Sequence, residues 1–321
     1  MLDIVGKRYI YLTVSAIIIL VGLVSIAIPP SFRVGIDFTG GSTLTVRFQE
    51  QVDQARVRDT LTSLGQTDAI ISRLGGKAYF IQTRHLKDAT RDAQGNVVDP
   101  GEKDNLVAGL KKLGAIEGTP EFSSVSPVVS AESVRNAILA VLAACVGIMI
   151  YIWYAFRKAG RGFRYGVCAL VALLHDVLVS LGVYSIFGKT IGSEVNSIFI
   201  VALLTVVGFS IHDTIVVFDR IRENLTKGIS KDFEQVVNYS VLETMARSIS
   251  TSMTLLFTVS ALLLFGGSTL RDFMLILLVG VTVGTYSSIF IASQIMVIWE
   301  KGEIPAFFRR LRGGSAQKQA A

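Results

Sequence analysis

The stretch VNSIFIVALLTVVGFSIHDTIVVF, residues Val195–Phe218, decides the fold class of this chain. It is apolar over a length that crosses a bilayer, which takes about 20 residues. It also carries His212 and Asp213, and ionisable groups in hydrocarbon are energetically costly and usually functional. The stretch therefore predicts a membrane-spanning helix that holds a polar functional site.

Five further stretches are comparably long and apolar, so the chain is predicted to cross a bilayer six times. The six spans are approximately Tyr9–Ile28, Val134–Phe156, Gly166–Phe187, Val195–Phe218, Ser248–Gly266 and Phe273–Trp299. Only 17% of the residues are charged, against roughly 25% in soluble proteins, which excludes a disordered chain and disfavours a soluble one. The first span exceeds the apolar part of a signal peptide, which has about 7–15 residues, so we interpret it as a retained anchor.

Lysine and arginine predict the orientation, because they are enriched on the cytoplasmic side of membrane proteins. If the N-terminus is cytoplasmic, sixteen Lys and Arg residues share its side, and the two short outer loops hold only Lys189 and Arg271. Both termini are therefore predicted to be cytoplasmic. This asymmetry accounts for the net charge of +6, so the basic character indicates membrane lipid as a partner and not nucleic acid.

The polar segment 29–133 lies between the first two spans and is long enough for a core of its own. Its pattern predicts strands at Ser42–Phe48, Ala69–Leu74, Ala78–Thr83 and Glu121–Val129, and helices at Asp53–Leu64 and Glu102–Leu113. This β-α-β-β-α-β order is that of a ferredoxin-like split unit, although generic α+β modules share it. The stretch Arg84–Pro100, which contains Gly95-Asn96, predicts a mobile loop.

These observations predict an α-helical membrane protein with six transmembrane helices and one outer α+β ferredoxin-like domain. We expect an N-terminal stub and first transmembrane helix in residues 1–28, the outer domain in 29–133, a five-helix bundle in 134–300 and a basic cytoplasmic tail in 301–321. In the last span, Gly280, Gly284, Ser288 and Ala292 form a small-residue stripe that lets helices approach closely.

Three groups of polar residues lie in or at the predicted spans. His175 and Asp176 lie near the middle of the third span, and His212 and Asp213 lie toward the cytoplasmic end of the fourth. At the start of the fifth span, Arg247 is followed by Thr251, Thr254 and Thr258 at helical spacing. These residues are the candidates for proton chemistry inside the membrane.

Asp213 and Arg247 could meet, because both lie close to the same membrane surface and Arg247 has a long side chain. Asp213 precedes Phe218 by one to two helical turns, which puts it about 7–8 Å inside that surface. Apolar surroundings favour a neutral carboxyl and a nearby guanidinium favours the anion. A carboxyl balanced between the two effects can bind and release protons near neutral pH.

Each of these residues also has a purely structural interpretation. Asp213 could be a permanently neutral residue, Arg247 could reach lipid headgroups, and Asp176 with His175 could be a pair that hydrogen-bonds to another helix. His212 projects about 100° away from Asp213 on a helix, which leaves a structural role open for it.

Motifs for nucleotide hydrolysis, zinc binding and serine hydrolysis are absent, so we expect no enzyme and no cofactor. Asp176 and Asp213 could imitate the pair of an intramembrane aspartyl protease. However, the G-x-G-D motif of those proteases is missing before Asp213. Any work done by the protein should therefore draw on an ion gradient or a partner.

Two long motifs resemble the SecF family of bacterial protein-export membrane proteins. GIDFTGGS at Gly35–Ser42 is similar to the family signature G-x-D-F-x-G-G-[ST], and IHDTIVVFDRIREN at Ile211–Asn224 is similar to the run D-[ST]-I-V-x-x-D-R-I-R-E-N. His175-Asp176, Ala246-Arg247 and the six-span layout also fit. His212 stands where relatives often carry Asn.

The resemblance implies a half of an RND-type transporter that works with SecD and the SecYEG channel and uses the proton motive force to help export preproteins. It implies Asp213 as the proton-binding carboxyl and Arg247 as its partner, with Asp176, His175, His212 and Thr251 nearby. The resemblance also assigns a role to five residues of the family motifs, namely Asp37, Gly40, Gly41, Asp219 and Arg220. Among these, it implies that Asp37 connects the membrane helices to a periplasmic domain.

Two other functions remain open from the residues alone. The chain could be half of an RND-type exporter of small molecules or lipids, although such exporters usually carry larger paired outer domains. It could also be a scaffold for a translocation channel, although a scaffold has no need of a carboxyl at Asp213.

Overall fold

The structure is a computed structural model that describes residues 3–74, 76–87, 90–91, 97–99, 101–157, 162–267 and 270–302. Most of these residues are helical. The helices are α1 (Arg8–Ala27), α2 (Ile36–Thr39), α3 (Gln54–Ser63), α4 (Gly101–Lys111), α5 (Pro127–Ala155), α6 (Gly162–Thr190), α7 (Ser197–Lys227), α8 (Phe233–Phe265), α9 (Arg271–Ser287) and α10 (Ser293–Glu300). A short 3₁₀ helix at Val5–Lys7 precedes α1, and a π-helical turn at Ser288–Ala292 joins α9 to α10.

In the described part of the chain, six helices are long and apolar enough to cross a membrane, which confirms the number of predicted spans. They are α1, α5, α6, α7, α8 and the continuous α9–α10 helix. The described residues form two compact units, one of 33–139 with 194–197 and one of the remaining residues.

The strands all belong to the first of these units. They are β1 (Arg33–Val34), β2 (Gly41–Arg47), β3 (Ile70–Arg73), β4 (Ala78–Thr83), β5 (Thr90–Arg91), β6 (Val97–Asp99), β7 (Glu121–Val125) and β8 (Glu194–Val195). Four of them make one sheet in the order β3-β4-β2-β7, in which every pair of neighbours is antiparallel. The short pair β1–β8 is parallel.

Helices α3 and α4 supply one side of the core of this unit. Leu44 and Val46 alternate along β2, so both point to one face of the sheet, and they are buried with Leu61 of α3 and Leu110 of α4. Asp53 begins α3 by accepting a hydrogen bond from the Ala55 backbone N–H at 3.2 Å, as N-cap residues do.

Two predictions for this segment need correction. The predicted strand Glu121–Val129 ends at Val125, because Pro127 begins α5 and proline favours the first helical turn. Within the predicted mobile loop Arg84–Pro100, β5 and β6 pair with each other. Gly95-Asn96 of that loop and residues 303–321 of the predicted tail lie outside the described residues.

Two of the membrane helices are longer than their apolar stretches. Helix α7 continues past Phe218 to Lys227, and α8 begins at Phe233 and not near Ser248. Ion pairs one turn apart stabilise the charged extension of α7, including Asp219 with Arg222 at 2.8 Å. The extensions of α7 and α8 also contact each other through Asn224, whose amide donates to Ser240 Oγ at 3.0 Å.

Glycines set the closest helix contacts in the bundle. Helices α1 and α6 cross at Gly22 and Gly182, where a Cβ added to Gly22 would lie 2.9 Å from the Gly182 Cα. On α9, a Cβ added to Gly284 would lie 3.0 Å from the Cβ of Ser210 on α7. Gly280 meets Val206 of α7 one turn away, so the two glycines of the predicted stripe pack α9 against α7, while Ser288 and Ala292 lie in the π-helical turn.

Candidate functional site

The two predicted membrane carboxyls are buried among the helices of the bundle. Asp176 of α6 is 0% exposed and Asp213 of α7 is 9% exposed. Both residues are held by hydroxyl groups from neighbouring helices, and each has a distinct set of partners. We describe them as the Asp176 cluster (His175, Asp176, Ser210 and Ser287) and the Asp213 cluster (Asp213, Ser252 and Thr285).

The Asp176 cluster joins three helices through one carboxyl group. Ser210 Oγ of α7 and Ser287 Oγ of α9 both donate to Asp176 Oδ2, the latter at 2.7 Å. His175 Nδ1 lies 2.9 Å from Oδ1. Polar groups this deeply buried are stable only when they are hydrogen-bonded, and this carboxyl has three partners.

Packing explains why the hydroxyls reach Asp176. Gly284 has no side chain, so α9 comes close to the backbone of α7 at Ser210. Ser287 is the last residue of α9 and immediately precedes the π-helical turn. Such turns interrupt the regular helical hydrogen bonding and occur often at functional sites.

The Asp213 cluster is less tightly bonded. Ser252 Oγ of α8 lies 3.5 Å from Asp213 Oδ2, a long hydrogen bond. Thr285 Oγ1 of α9 donates to Ser252 Oγ at 2.6 Å. Asp213 is thus the partly accessible carboxyl of the two, with a single weak donor from the protein among the described residues.

Helices α7 and α9 contribute to both clusters. Ser210 and Asp213 are one turn apart on α7, and Thr285 and Ser287 lie in the last turn of α9. A rotation or shift of either helix would therefore alter the partners of both carboxyls.

The predicted contact between Asp213 and Arg247 is not present. Arg247 is exposed, and across the described ranges it forms no ion pair with Asp213. Its side chain lines a pocket of about 360 Å³ together with Tyr151 near the end of α5, Arg220 in the charged part of α7, and Glu243 one turn earlier on α8. A long side chain placed at the apolar boundary extends toward the polar end of the bundle, which the sequence alone does not fix.

The predicted threonine face is present but points away from the carboxyls. Thr251, Thr254 and Thr258 are exposed, and each hydroxyl donates to the backbone carbonyl four residues earlier. The buried polar face of α8 holds Ser248 and Ser252 instead. His212 is exposed on α7, as its angle from Asp213 on the helix predicts.

Asp219 and Arg220 lie in the charged extension of α7. Asp219 pairs with Arg222, and Arg220 pairs with Glu223 at 3.0 Å and with Glu243 of α8 at 3.3 Å. These two family-motif residues therefore link α7 to α8 and stabilise the charged extension of α7, and among the described residues neither pairs with either carboxyl cluster.

The glycine-rich motif forms a tight connection in the unit that holds the sheet. Asp37 Oδ2 accepts a hydrogen bond from the backbone N–H of Ser197, the first residue of α7, at 2.8 Å. Gly40 and Gly41 have φ angles of +69° and +123°, which favour glycine. A Cβ on Gly41 would also collide with the carbonyl oxygen of Thr83, so no other residue fits there.

The sequence did not single out the hydroxyl partners of the two carboxyls, namely Ser210, Ser252, Thr285 and Ser287. Ser210 could have been found from the sequence, because it lies three residues before Asp213 and therefore on the same face of the helix. The others lie on α8 and α9, and their proximity depends on how the helices pack. Among the described residues, no group of three His, Cys, Asp or Glu side chains could hold a metal ion.

Comparison with known proteins places these features in one family. Residues 107–302 match the family described as protein export membrane protein SecD/SecF, C-terminal, and residues 32–52 match the SecD/SecF GG motif. Protein translocase subunit SecF of Thermobaculum terrenum is 42% identical over 310 residues, which cover 97% of this chain and 98% of the relative. The SecF of Anaerolinea thermophila is 42% identical over 315 residues, with the same coverage of 97% and 98%.

Solved structures of SecDF have the same fold. The crystal structure of SecDF, a translocon-associated membrane protein from Thermus thermophilus, aligns with a TM-score of 0.76 at 32% identity. The alignment covers 94% of this chain but only 39% of the SecDF chain. With six membrane-crossing helices and matches over nearly its whole length, this multi-pass membrane protein belongs to the SecD/SecF family of protein-export membrane proteins.

Proposed function

We propose that this chain is the SecF subunit of a protein translocase that works with SecD and uses the proton motive force to assist preprotein export through SecYEG. The observation that carries the proposal is Asp213, a buried membrane carboxyl with one weak hydrogen-bond donor among the described residues. A group with so few partners can exist in both charge states, as a proton carrier must. No cofactor is needed, because the proton gradient supplies the energy.

The two carboxyls are proposed to have different duties. Asp176 is fully enclosed, accepts from serine hydroxyls on α7 and α9 and lies 2.9 Å from His175 Nδ1, which suits a fixed structural connection. Asp213 is partly accessible and has exposed His212 beside it on the same helix. With fewer partners than Asp176, Asp213 is therefore the better candidate for binding and releasing a proton.

The segment 29–133 is proposed to be a periplasmic ferredoxin-like domain. Its four main strands, taken in chain order, lie in the sheet in the order 2-3-1-4 with antiparallel neighbours, and one helix follows the first strand and one the third. The Lys and Arg distribution supports cytoplasmic termini in an inner membrane, with this domain on the opposite side.

Cysteine labelling tests this orientation. In a background with Cys145 and Cys168 replaced by alanine, we expect Ser63→Cys on α3 to react with a membrane-impermeant maleimide in intact spheroplasts. Lys231→Cys, between α7 and α8, should react only after the membrane is permeabilised. Both positions are exposed, so access to the reagent is what differs between them. The reverse labelling pattern would overturn the proposed orientation.

Arg247 is proposed to act on Asp213 through its charge, although the two side chains do not pair in this structure. Across an apolar boundary a positive charge favours the carboxylate over a distance of several ångströms. A flexible guanidinium can also approach the carboxyl when the helices shift.

Replacing Arg247 with methionine should therefore impair export strongly, and replacing it with lysine should impair it only partly, since lysine keeps the charge but not the planar donor geometry. Precursor accumulation at matched protein levels measures the effect. Lys227→Met is the control, because it also removes an exposed positive charge. Lys227 lies at the end of α7 and pairs with Glu223. If the Arg247→Met variant exports as well as the unmodified protein, Arg247 serves only the topology.

A further inference from the structure

Two hydroxyl groups connect Asp213 to a backbone carbonyl of α9. Ser252 Oγ lies 3.5 Å from Asp213 Oδ2, and Thr285 Oγ1 lies 2.6 Å from Ser252 Oγ. Thr285 Oγ1 also lies 2.8 Å from the carbonyl oxygen of Val281. These contacts form a chain of hydrogen bonds from the Asp213 carboxyl through Ser252 of α8 to Thr285 of α9, with the longest contact at Asp213.

The number of protons in this line allows two arrangements. Each hydroxyl has one proton to donate and can accept two hydrogen bonds. Thr285 has two acceptors within reach, Ser252 Oγ and the Val281 carbonyl, and it can donate to only one of them at a time. Which acceptor it uses depends on whether Ser252 needs a donor or an acceptor.

We propose that Ser252 and Thr285 are positioning residues that form a reversible hydrogen-bond relay, which stabilises Asp213 in both of its charge states. When Asp213 is ionised, Thr285 donates to Ser252 and Ser252 donates to the carboxylate. When Asp213 is protonated, its O–H donates to Ser252, Ser252 donates to Thr285, and Thr285 donates to Val281. The hydroxyls rotate and keep their own protons, and the only added proton is the one on Asp213.

The relay rests on the proposed role of Asp213 as the proton-binding group, and its surroundings support it. The charged and titratable groups near Asp213 are His212 on α7, Arg247 on α8, and the His175–Asp176 pair on α6, whose partner Ser210 lies one turn away. In the described part of the chain, none of these groups is hydrogen-bonded to Asp213, and α9 contributes the uncharged Thr285. When the charge of Asp213 changes, the groups that respond directly are therefore the hydroxyls of Ser252 and Thr285.

A matched control lies one turn away on the same helix. Thr282 is exposed, and its hydroxyl bonds to the Leu278 carbonyl at 2.8 Å. Replacing either threonine with valine keeps the branched shape and removes one hydroxyl. The Thr282 change thus reproduces the loss of a helix-bound hydroxyl without touching the relay.

The test is infrared difference spectroscopy after a pH jump, on the full chain reconstituted with its SecD partner in phospholipid vesicles. The Asp213 band is identified by its loss in Asp213→Asn. In Thr285→Val we expect the C=O band of protonated Asp213 at higher wavenumber, because its acceptor Ser252 is no longer polarised by a further hydrogen bond. Proton uptake should slow on the order of tenfold. Thr285→Ser should restore both readouts, and Thr282→Val should change neither.

The outcomes separate the relay from the proposed function. An Asp213 band in Thr285→Val that matches the unmodified protein overturns the relay alone. A Thr285→Ser variant that behaves like valine also overturns it, because shape rather than the hydroxyl then matters. The absence of any Asp213 band in the unmodified protein overturns both. If Thr285→Val does not insert, Ser252→Ala is compared with the exposed Ser250→Ala, and unchanged Asp213 spectra in the former overturn the relay.

Discussion

Replacing Asp213 with asparagine is expected to abolish the proton-dependent part of preprotein export while the protein inserts and folds normally. Asparagine has the same shape and can still accept the hydrogen bond from Ser252, so the packing of α7 against α8 should persist. It cannot bind and release a proton, however. Each proton that crosses the membrane supplies about 2.3 kcal/mol per 100 mV, and this contribution is lost completely. The measurement is export in inverted vesicles with and without a proton gradient.

Asp213→Glu is the matched control for this experiment, because it keeps an ionisable carboxyl one methylene further from the backbone. We expect it to keep a measurable response to the gradient at a reduced rate. Gradient-stimulated export by the asparagine variant, at normal protein levels, would contradict the role of Asp213.

Replacing Asp176 with alanine is expected to destabilise the fold of the helix bundle and not only to reduce the rate of export. The change leaves Ser210 and His175 without this partner in the interior of the bundle, and Ser287 keeps only the Gly284 carbonyl as an acceptor. Hydrogen bonds between membrane helices contribute about 0.6 kcal/mol each on average, and unpaired buried groups cost more, so we expect a loss of about 2–3 kcal/mol. Thermal unfolding of the detergent-solubilised protein should show a lower midpoint.

Asp176→Asn separates structure from proton chemistry at this site. Its amide oxygen can accept from both serines and its NH₂ group can face His175, so stability should stay close to that of the unmodified protein. If the alanine variant unfolds at the same temperature as the asparagine variant, the two serine hydrogen bonds to Asp176 do not hold the helices together.

The sequence was informative wherever a single helix or strand carries the signal. Uninterrupted apolar stretches located all six membrane helices, and alternation located β2 and β4 to within a residue. The polar exceptions in those stretches pointed to Asp176 and Asp213, because burying a carboxyl is too costly without a purpose.

The same approach failed at helix ends, where apolarity and helicity diverge. Helix α7 runs to Lys227 because its charges pair along the helix and with Glu243 of α8. The apolar stretch of a sequence indicates where a helix leaves the hydrocarbon of the bilayer. It does not indicate where the backbone hydrogen bonding of that helix ends. The strand prediction through Val129 failed for a related reason, since one proline changed the structure within an alternating stretch.

Contacts between helices were the other limit of sequence-based prediction. Arg247 and Asp213 are at suitable depths, yet depth does not fix the direction of a side chain around its helix. The hydroxyls of Ser252, Thr285 and Ser287 looked like ordinary membrane-helix residues in the sequence. They became part of the site only through the packing of α8 and α9 beside α7.

The crossing of α1 and α6 at Gly22 and Gly182 has a consequence for fusion design. The two backbones touch, and Ser25 Oγ lies 3.0 Å from Ser185 Oγ one turn further on. Helix α1 is therefore packed specifically against the bundle and is more than a membrane anchor that another apolar helix could replace. A chimera that carries a generic leucine-rich anchor in its place would reach the membrane but would leave the facing groove of α6 unfilled. Reporter tags belong before residue 3, where α1 keeps its own sequence.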